Sequence, residues 1–456
     1  MEREKFKSRL GFILISAGCA IGIGNVWRFP YVVGNNGGGC FVLFYVLFLV
    51  ILGLPILTME FSVGRASQQS IARAFTTLEK KGQFWHFHGY IGMAGNYILM
   101  MFYTTVAGWM LKYFFDTAKG DFIGATTSQV KDHFTYMNSV PSEMIFWTVV
   151  VIIIGFLVCS LGLQNGVEKI SKGMMIALLV IMAVLAINSI FLKGASKGLY
   201  FYLVPDFQQI KNIGLINVLV AAMNQAFFTL SIGMGSMTIF GSYLSKDHSL
   251  LGESINIVAL DTFVAIVSGL IIFPSCFAFG VNPDQGPSLI FVTLPNIFIK
   301  MPGGRIIGSC FFIFMAFAAF STVIAVFENI MSSCMDLWGW ERKKTALINT
   351  ILIIIGSIPC VLGFNILSGF HPLGKGTNVM DLEDFLVSNL ILPIGSLIYT
   401  LFCTSKYGWG WDNYLKEVNT GNGLKVPGKI RFYCKWILPL VTLFIIVNGL
   451  ISVFNK

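Results

Sequence analysis

Charge is what this sequence has least of. Only 12% of its 456 residues are Asp, Glu, Lys or Arg, against about 25% in soluble domains. That shortage excludes a large solvated surface. The charges are also clustered, which leaves long apolar runs such as Met144–Leu161, Met174–Phe191 and Trp436–Phe454. Crossing about 30 Å of hydrocarbon takes roughly 20 apolar residues in a helix. The runs do not alternate apolar with polar, which excludes the strands of a membrane barrel. Metal chemistry is as thinly supplied as charge. The nine cysteines form no CxxC pair, the five histidines are scattered, and Cys159, Cys276, Cys310 and Cys403 lie inside apolar runs. We read the cysteines as small buried hydrophobes. No span pairs a nucleophile with a base, so the sequence points away from an enzyme.

What is present is a helical bundle in a membrane. Eleven spans are expected near 10–33, 39–63, 88–115, 144–162, 173–192, 214–242, 256–279, 306–335, 346–366, 384–404 and 434–454. The N-terminus is basic, but no small-residue cleavage site follows it, so it reads as an uncleaved tail. With that tail in the cytoplasm, 20 of the 31 Lys and Arg residues fall in cytoplasmic segments, as the positive-inside bias requires. Eleven spans then put the C-terminus outside. The net charge of +9 reflects this bias and calls for no nucleic acid.

Two spans are chemically odd. Leu10–Ile23 is apolar but only ~21 Å long as a helix. It runs into Gly22-Ile23-Gly24-Asn25 before resuming at Val26. The sixth span repeats the pattern: Val218–Leu230 meets Ser231-Ile232-Gly233-Met234-Gly235. Broken backbone survives in hydrocarbon only where it faces protein, a cavity or a ligand. Each break opens a set of five spans, and an odd number of spans inverts the second set. Residues 1–192 and 193–405 are therefore expected as inverted repeats, with 406–456 as a loop and an eleventh span. Polar residues gather at the same depth: Asn25 after the first break, Gln225, Thr229 and Ser231 at the second, Asp261 within the seventh span, Ser321 and Thr322 within the eighth. A carboxylate there is costly unless paired or hydrated, which makes Asp261 a functional candidate.

These residues resemble a known family. Gly24-Asn25-Val26-Trp27-Arg28-Phe29-Pro30-Tyr31 with Asn36-Gly37-Gly38-Gly39 looks like the first-span signature of the neurotransmitter:sodium symporters. Phe227–Gly235 looks like their sixth-span signature, and Gly53-Leu54-Pro55 with Glu60 and Gly64-Arg65 resembles the end of their second span. The likeness runs over essentially the whole chain, and eleven spans resembles a bacterial subgroup. This family is itself the standing example of inverted repeats on discontinuous helices, so repeat and resemblance are not independent.

The resemblance implies a site, residue by residue. One sodium is expected at the Ala20 carbonyl, Asn25, Thr229 and Asp261. A second is expected at the Gly18, Ile21 and Ala318 carbonyls with the Ser321 and Thr322 hydroxyls. Both are co-transported ligands, and no cofactor is implied. The substrate carboxylate should meet the N–H groups of Ile23 and Gly24 at a half-helix N-terminus, with help from Tyr103. Phe228 is implied as the lid, and the side-chain pocket as Ala20, Leu99, Val106, Thr229, Ser231, Met234, Val323 and Val326. Arg28 with Asp384 is implied as the outer gate and Arg3 with Asp336 as the inner one. Asp381 and Glu383 compete for Arg28. Glu60 should bond the freed backbone of the breaks.

The departures set the substrate and the anion. Gly22 stands where monoamine transporters of the family carry an aspartate, which argues for a substrate with its own carboxylate. The pocket is apolar, so a hydrophobic L-amino acid is expected, imported with sodium by alternating access. Asp261 replaces the commoner asparagine. Ala265 replaces a serine or an acid. In the relatives these two positions join Tyr45, Gln225 and Thr229 around a chloride; the last three could still hold an anion, but Asp261 and Ala265 argue for chloride independence. A passive facilitator or channel is the alternative.

Overall fold

The computed structural model describes residues 4–281 and 289–454. Nine helices among them are long and apolar enough to cross a membrane on their own: Gly39–Ser67, Phe87–Lys119, Pro141–Ser160, Leu163–Ile190, Leu250–Ala278, Gly304–Trp338, Arg342–Leu362, Val379–Thr404 and Gly428–Ile451. Two broken pairs supply the remaining spans. Arg9–Ala20 and Gly24–Asn35 are bent by 53° into the first. Leu215–Thr229 and Ser236–Ser242 form the sixth, with residues 230–235 between them. The result is an all-helical bundle of five plus five inverted spans and one more. There is no strand among the described residues.

Several helices run past the apolar stretch that announces them. The third continues to Lys119 because its last turns carry compensated charge: Lys112 Nζ pairs with Asp116 at 2.9 Å and Glu143 at 2.7 Å. It stops at Gly120, where φ is +101°. The eighth continues to Trp338 and stops at Gly339, φ +66°. Glycine alone adopts that left-handed turn without a Cβ clash, so these ends are set by capping rather than by hydrophobicity.

The third and eighth spans pack together and carry the fourth and ninth against them. The second span packs on the second half of the sixth, and the first on the seventh and eighth. Both breaks therefore lie inside the bundle, walled by the third and eighth spans. The connection expected at 280–305 is not plain loop. Its π-helical segment Leu289–Thr293 and helix Leu294–Lys300 pack over one end of the bundle. There Phe291 stacks on Phe134 with ring centroids 5.4 Å apart and meets Trp27 edge-on at 6.2 Å.

Candidate functional site

The first break begins earlier than its glycines suggest. The helix ends at Ala20, Ile21 is extended, and the chain is helical again from Gly24. Gly22 is where the other spans come closest. A Cβ there would stand 2.3 Å from the Tyr103 hydroxyl and 2.4 Å from Thr322 Oγ1. In the sixth span the chain reverses through left-handed residues, Ser231 at φ +50°, Gly233 at +101° and Gly235 at +81°. Ser231 is the costly one, because it carries a Cβ. The freed N–H groups of this break find Glu60, which is fully buried. It accepts from Gly233 at 2.7 Å, Met237 at 3.0 Å and Thr238 at 3.4 Å. Glu60 thus does for the sixth span what the sequence led us to expect.

Around the breaks two oxygen clusters form. In one, the Asp261 carboxylate accepts from Asn25 Nδ2 at 2.8 Å and from Thr229 Oγ1 at 3.2 Å. The Asn25 side-chain oxygen faces the Gly22 N–H at 3.3 Å, and Tyr45 donates to Thr229 Oγ1 at 3.4 Å. Gln225 reaches the Gly24 carbonyl at 3.0 Å. Asp261 is 0% exposed, and no cationic side chain among the described residues pairs with it. In the other cluster, Ser321 Oγ lies 3.0 Å from the Ile21 carbonyl and 2.8 Å from that of Ala318. Thr322 Oγ1 lies 3.4 Å from the Gly18 carbonyl and 3.3 Å from that of Cys19. Residues more than 200 apart in sequence thus supply one cluster, and residues 300 apart the other.

Between the clusters lies a cavity of about 20 Å³, lined by Ala20, Gly22, Gly24, Leu99, Tyr103, Phe228, Ser231, Met234, Thr322 and Leu392. It has room for about one water molecule, so admitting a substrate requires movement. Tyr103 accepts the Ile23 N–H at 2.9 Å, so one of the donors expected for a substrate carboxylate is engaged by the tyrosine. Val106, Thr229, Val323 and Val326, expected in the pocket, are buried but do not line this cavity. Val323 turns toward the fourth span, where a Cβ on Gly155 would touch it at 3.0 Å. Gly22, Thr322 and Leu392 line the cavity although the expected pocket lacked them.

Side-chain contacts cross both ends of the bundle. At one end the Arg28 guanidinium lies 4.0 Å over the Phe228 ring, a favourable cation–π geometry. Its Nη1 donates to Ser388 at 3.3 Å, and Ser388 donates to Asp384 at 2.6 Å. The expected Arg28–Asp384 gate is therefore bridged by a serine, not a direct ion pair. Of the competing acids, Asp381 caps its own helix at Asn378, and Glu383 is buried.

At the other end Arg3 lies outside the described residues. Asp336 accepts the Ser70 N–H at 2.7 Å. The tail just beyond Arg3 is held by residues the sequence did not single out. Glu168 takes the Lys7 N–H at 2.8 Å and the Ser8 hydroxyl at 3.0 Å. Arg9 pairs with Glu253 at 2.8 Å. Arg342 joins Glu328 at 2.8 Å and Glu4 at 3.3 Å. Glu328 sits inside an apolar run, a signal as strong as that of Asp261.

A profile of the Sodium:neurotransmitter symporter family matches residues 3–132 and 121–456. An uncharacterized sodium-dependent transporter of Bacillus subtilis is 34% identical over 455 residues, covering 98% of each chain. A second, from Haemophilus influenzae, is 30% identical with the same coverage. The sodium- and chloride-dependent GABA transporter 2 of Rattus norvegicus is 23% identical over 99% of this chain and 81% of its own. The crystal structure of MhsT in complex with L-phenylalanine superposes with a TM-score of 0.88 at 37% identity, over 98% of this chain and 100% of that one. Two broken spans, the oxygen clusters at their breaks and this similarity along the whole length lead to one conclusion: the chain belongs to the sodium:neurotransmitter symporter family, and it is a membrane transporter rather than an enzyme.

Proposed function

We propose that this protein imports a hydrophobic L-amino acid together with sodium, by alternating access. The observation that carries the sodium half is Asp261. A buried carboxylate with no cationic partner among the described residues costs several kcal/mol, and a bound cation removes that cost. Sodium is a hard ion that takes oxygen ligands. The Ala20 carbonyl, Asn25, Thr229 and Asp261 would hold one ion, with net charge close to zero. The Gly18, Ile21 and Ala318 carbonyls with Ser321 and Thr322 would hold the other. Each sodium entering down about 100 mV contributes about 2.3 kcal/mol, and a tenfold gradient about 1.4. Two ions would supply on the order of 7 kcal/mol, a concentrating limit of roughly 10⁵.

The amino-acid half rests on the cavity. Its walls are apolar apart from hydroxyls and backbone, and Gly22 leaves the carboxylate end free of competing charge. The similarity to MhsT with L-phenylalanine bound supports a substrate of that class. The N-terminal tail faces the cytoplasm, the C-terminus the outside. The first, second, sixth and seventh spans would rock against the third, fourth, eighth and ninth, within repeats 1–192 and 193–405. Phe228 and the Arg28–Ser388–Asp384 chain would open on the outside. The tail contacts of Glu168, Glu253 and Arg342 would release on the inside, where Arg3 and Asp336 are proposed to pair.

Uptake into liposomes is expected to require sodium, to be electrogenic, and to be competed by phenylalanine, leucine or methionine. Equal uptake in potassium buffer would overturn the coupling and favour a passive facilitator. Tyr103→Phe is expected to weaken substrate affinity roughly 10–150-fold, the equivalent of about 1.5–3 kcal/mol for one hydrogen bond to a charged group. The variant should still insert. An unchanged affinity in equilibrium binding would reduce Tyr103 to packing.

A further inference from the structure

The carbonyls freed by the break in the sixth span have partners of their own, and these lie on different spans from Glu60. Ser396 of the tenth span points its hydroxyl at the Ile232 carbonyl at 3.5 Å. Asn96 of the third span donates to the Met234 carbonyl at 2.8 Å and to Gly92 of its own helix at 2.7 Å. Its side-chain oxygen faces the Ser236 hydroxyl at 3.4 Å. Asn96 is 1% exposed. An asparagine inside an apolar span is costly unless it has a task. Its spacing of three and seven residues from Leu99 and Tyr103 puts it on the face that walls the cavity.

Met234 is the deformable wall of that cavity, and its position depends on its peptide. A Cβ on Gly95, the residue before Asn96, would stand 3.1 Å from Met234 Sδ. The third span thus holds Met234 by its backbone and backs it by its side chain. We infer that Asn96 is a specificity-positioning residue. It tethers the Met234 peptide to the third span and so sets how large a side chain the pocket accepts. This rests on the assignment of a hydrophobic amino acid to the cavity.

The experiment is competition binding with leucine and with tryptophan on purified protein, alongside the sodium dependence of binding. Two variants remove the tether: Asn96→Leu, of similar size but with no donor, and Asn96→Ser, too short to reach. Either is expected to shift the leucine-to-tryptophan affinity ratio at least tenfold toward tryptophan, with the half-saturating sodium concentration changed less than twofold. If Asn96→Leu does not insert, Asn96→Ser decides. A uniform loss for both amino acids, or a sodium shift as large as the substrate shift, would reduce Asn96 to a structural role and overturn the inference. A wild type that binds neither amino acid would instead refute the substrate assignment.

Discussion

Gly22→Asp is expected to abolish amino-acid uptake while leaving insertion intact. Two effects act in the same place. The first is steric: any Cβ at this position would stand 2.3 Å from the Tyr103 hydroxyl and 2.4 Å from Thr322 Oγ1. Those oxygens terminate side chains that wall the cavity, so they would be pushed into the space the substrate needs. The second is electrostatic. A carboxylate at residue 22 would lie beside the substrate carboxylate proposed for the Ile23 and Gly24 N–H groups. Two like charges about 4 Å apart repel by about 4 kcal/mol at an effective dielectric of about 20, or roughly 10³-fold in affinity. Gly22→Ala separates the two effects, because it adds the Cβ without the charge. Uptake by the alanine variant should fall but remain measurable, and uptake by the aspartate variant should be lost. Measuring uptake against surface-labelled protein makes the test quantitative. Normal transport by Gly22→Asp would mean that substrate binds elsewhere.

The second large effect concerns chloride. In this chain a group that would face an anion faces a carboxylate instead. Thr229 donates to Asp261 at 3.2 Å, and Tyr45 donates to Thr229. Ala265 is buried and offers no hydroxyl. A chloride placed a few Å from Asp261 would be repelled by several kcal/mol in so poorly hydrated a site. Asp261 itself would supply the negative charge that a bound sodium requires. Uptake by the wild type is therefore expected to be the same in gluconate as in chloride. Asp261→Asn combined with Ala265→Ser removes the fixed charge and restores a donor. That variant should be impaired in gluconate and stimulated severalfold by chloride. A wild type that loses most of its activity in gluconate would refute the substitution of carboxylate for chloride. A double variant indifferent to chloride would show that the anion needs more than charge and one hydroxyl.

Much of this molecule was decided by its sequence alone. Bilayer residence is written in composition, because twenty apolar residues in a row have no other stable solvent. The helix breaks were visible because glycine and polar residues are expensive in hydrocarbon, so Gly22–Asn25 and Ser231–Gly235 stand out against their flanks. Asp261 was legible for the same reason, whereas Ser321 and Thr322, whose hydroxyls can bond back to their own helix, stood out only in the company of the other features. The sign of the charges in the connections oriented the proposal. What the sequence did not decide is which of these groups touch. Ser388 between Arg28 and Asp384, Asn96 on the Met234 carbonyl, and Glu168 on the N-terminal tail are contacts across 360, 138 and about 160 residues. No local propensity encodes such distances; they follow from how the helices pack. Helix ends eluded the hydrophobic pattern because capping glycines and ion pairs set them, as at Gly120 and Lys112. The size of the cavity was likewise invisible, since about 20 Å³ is a small difference between large packed volumes. Only the tertiary structure, by bringing both breaks against the third and eighth spans, decides it.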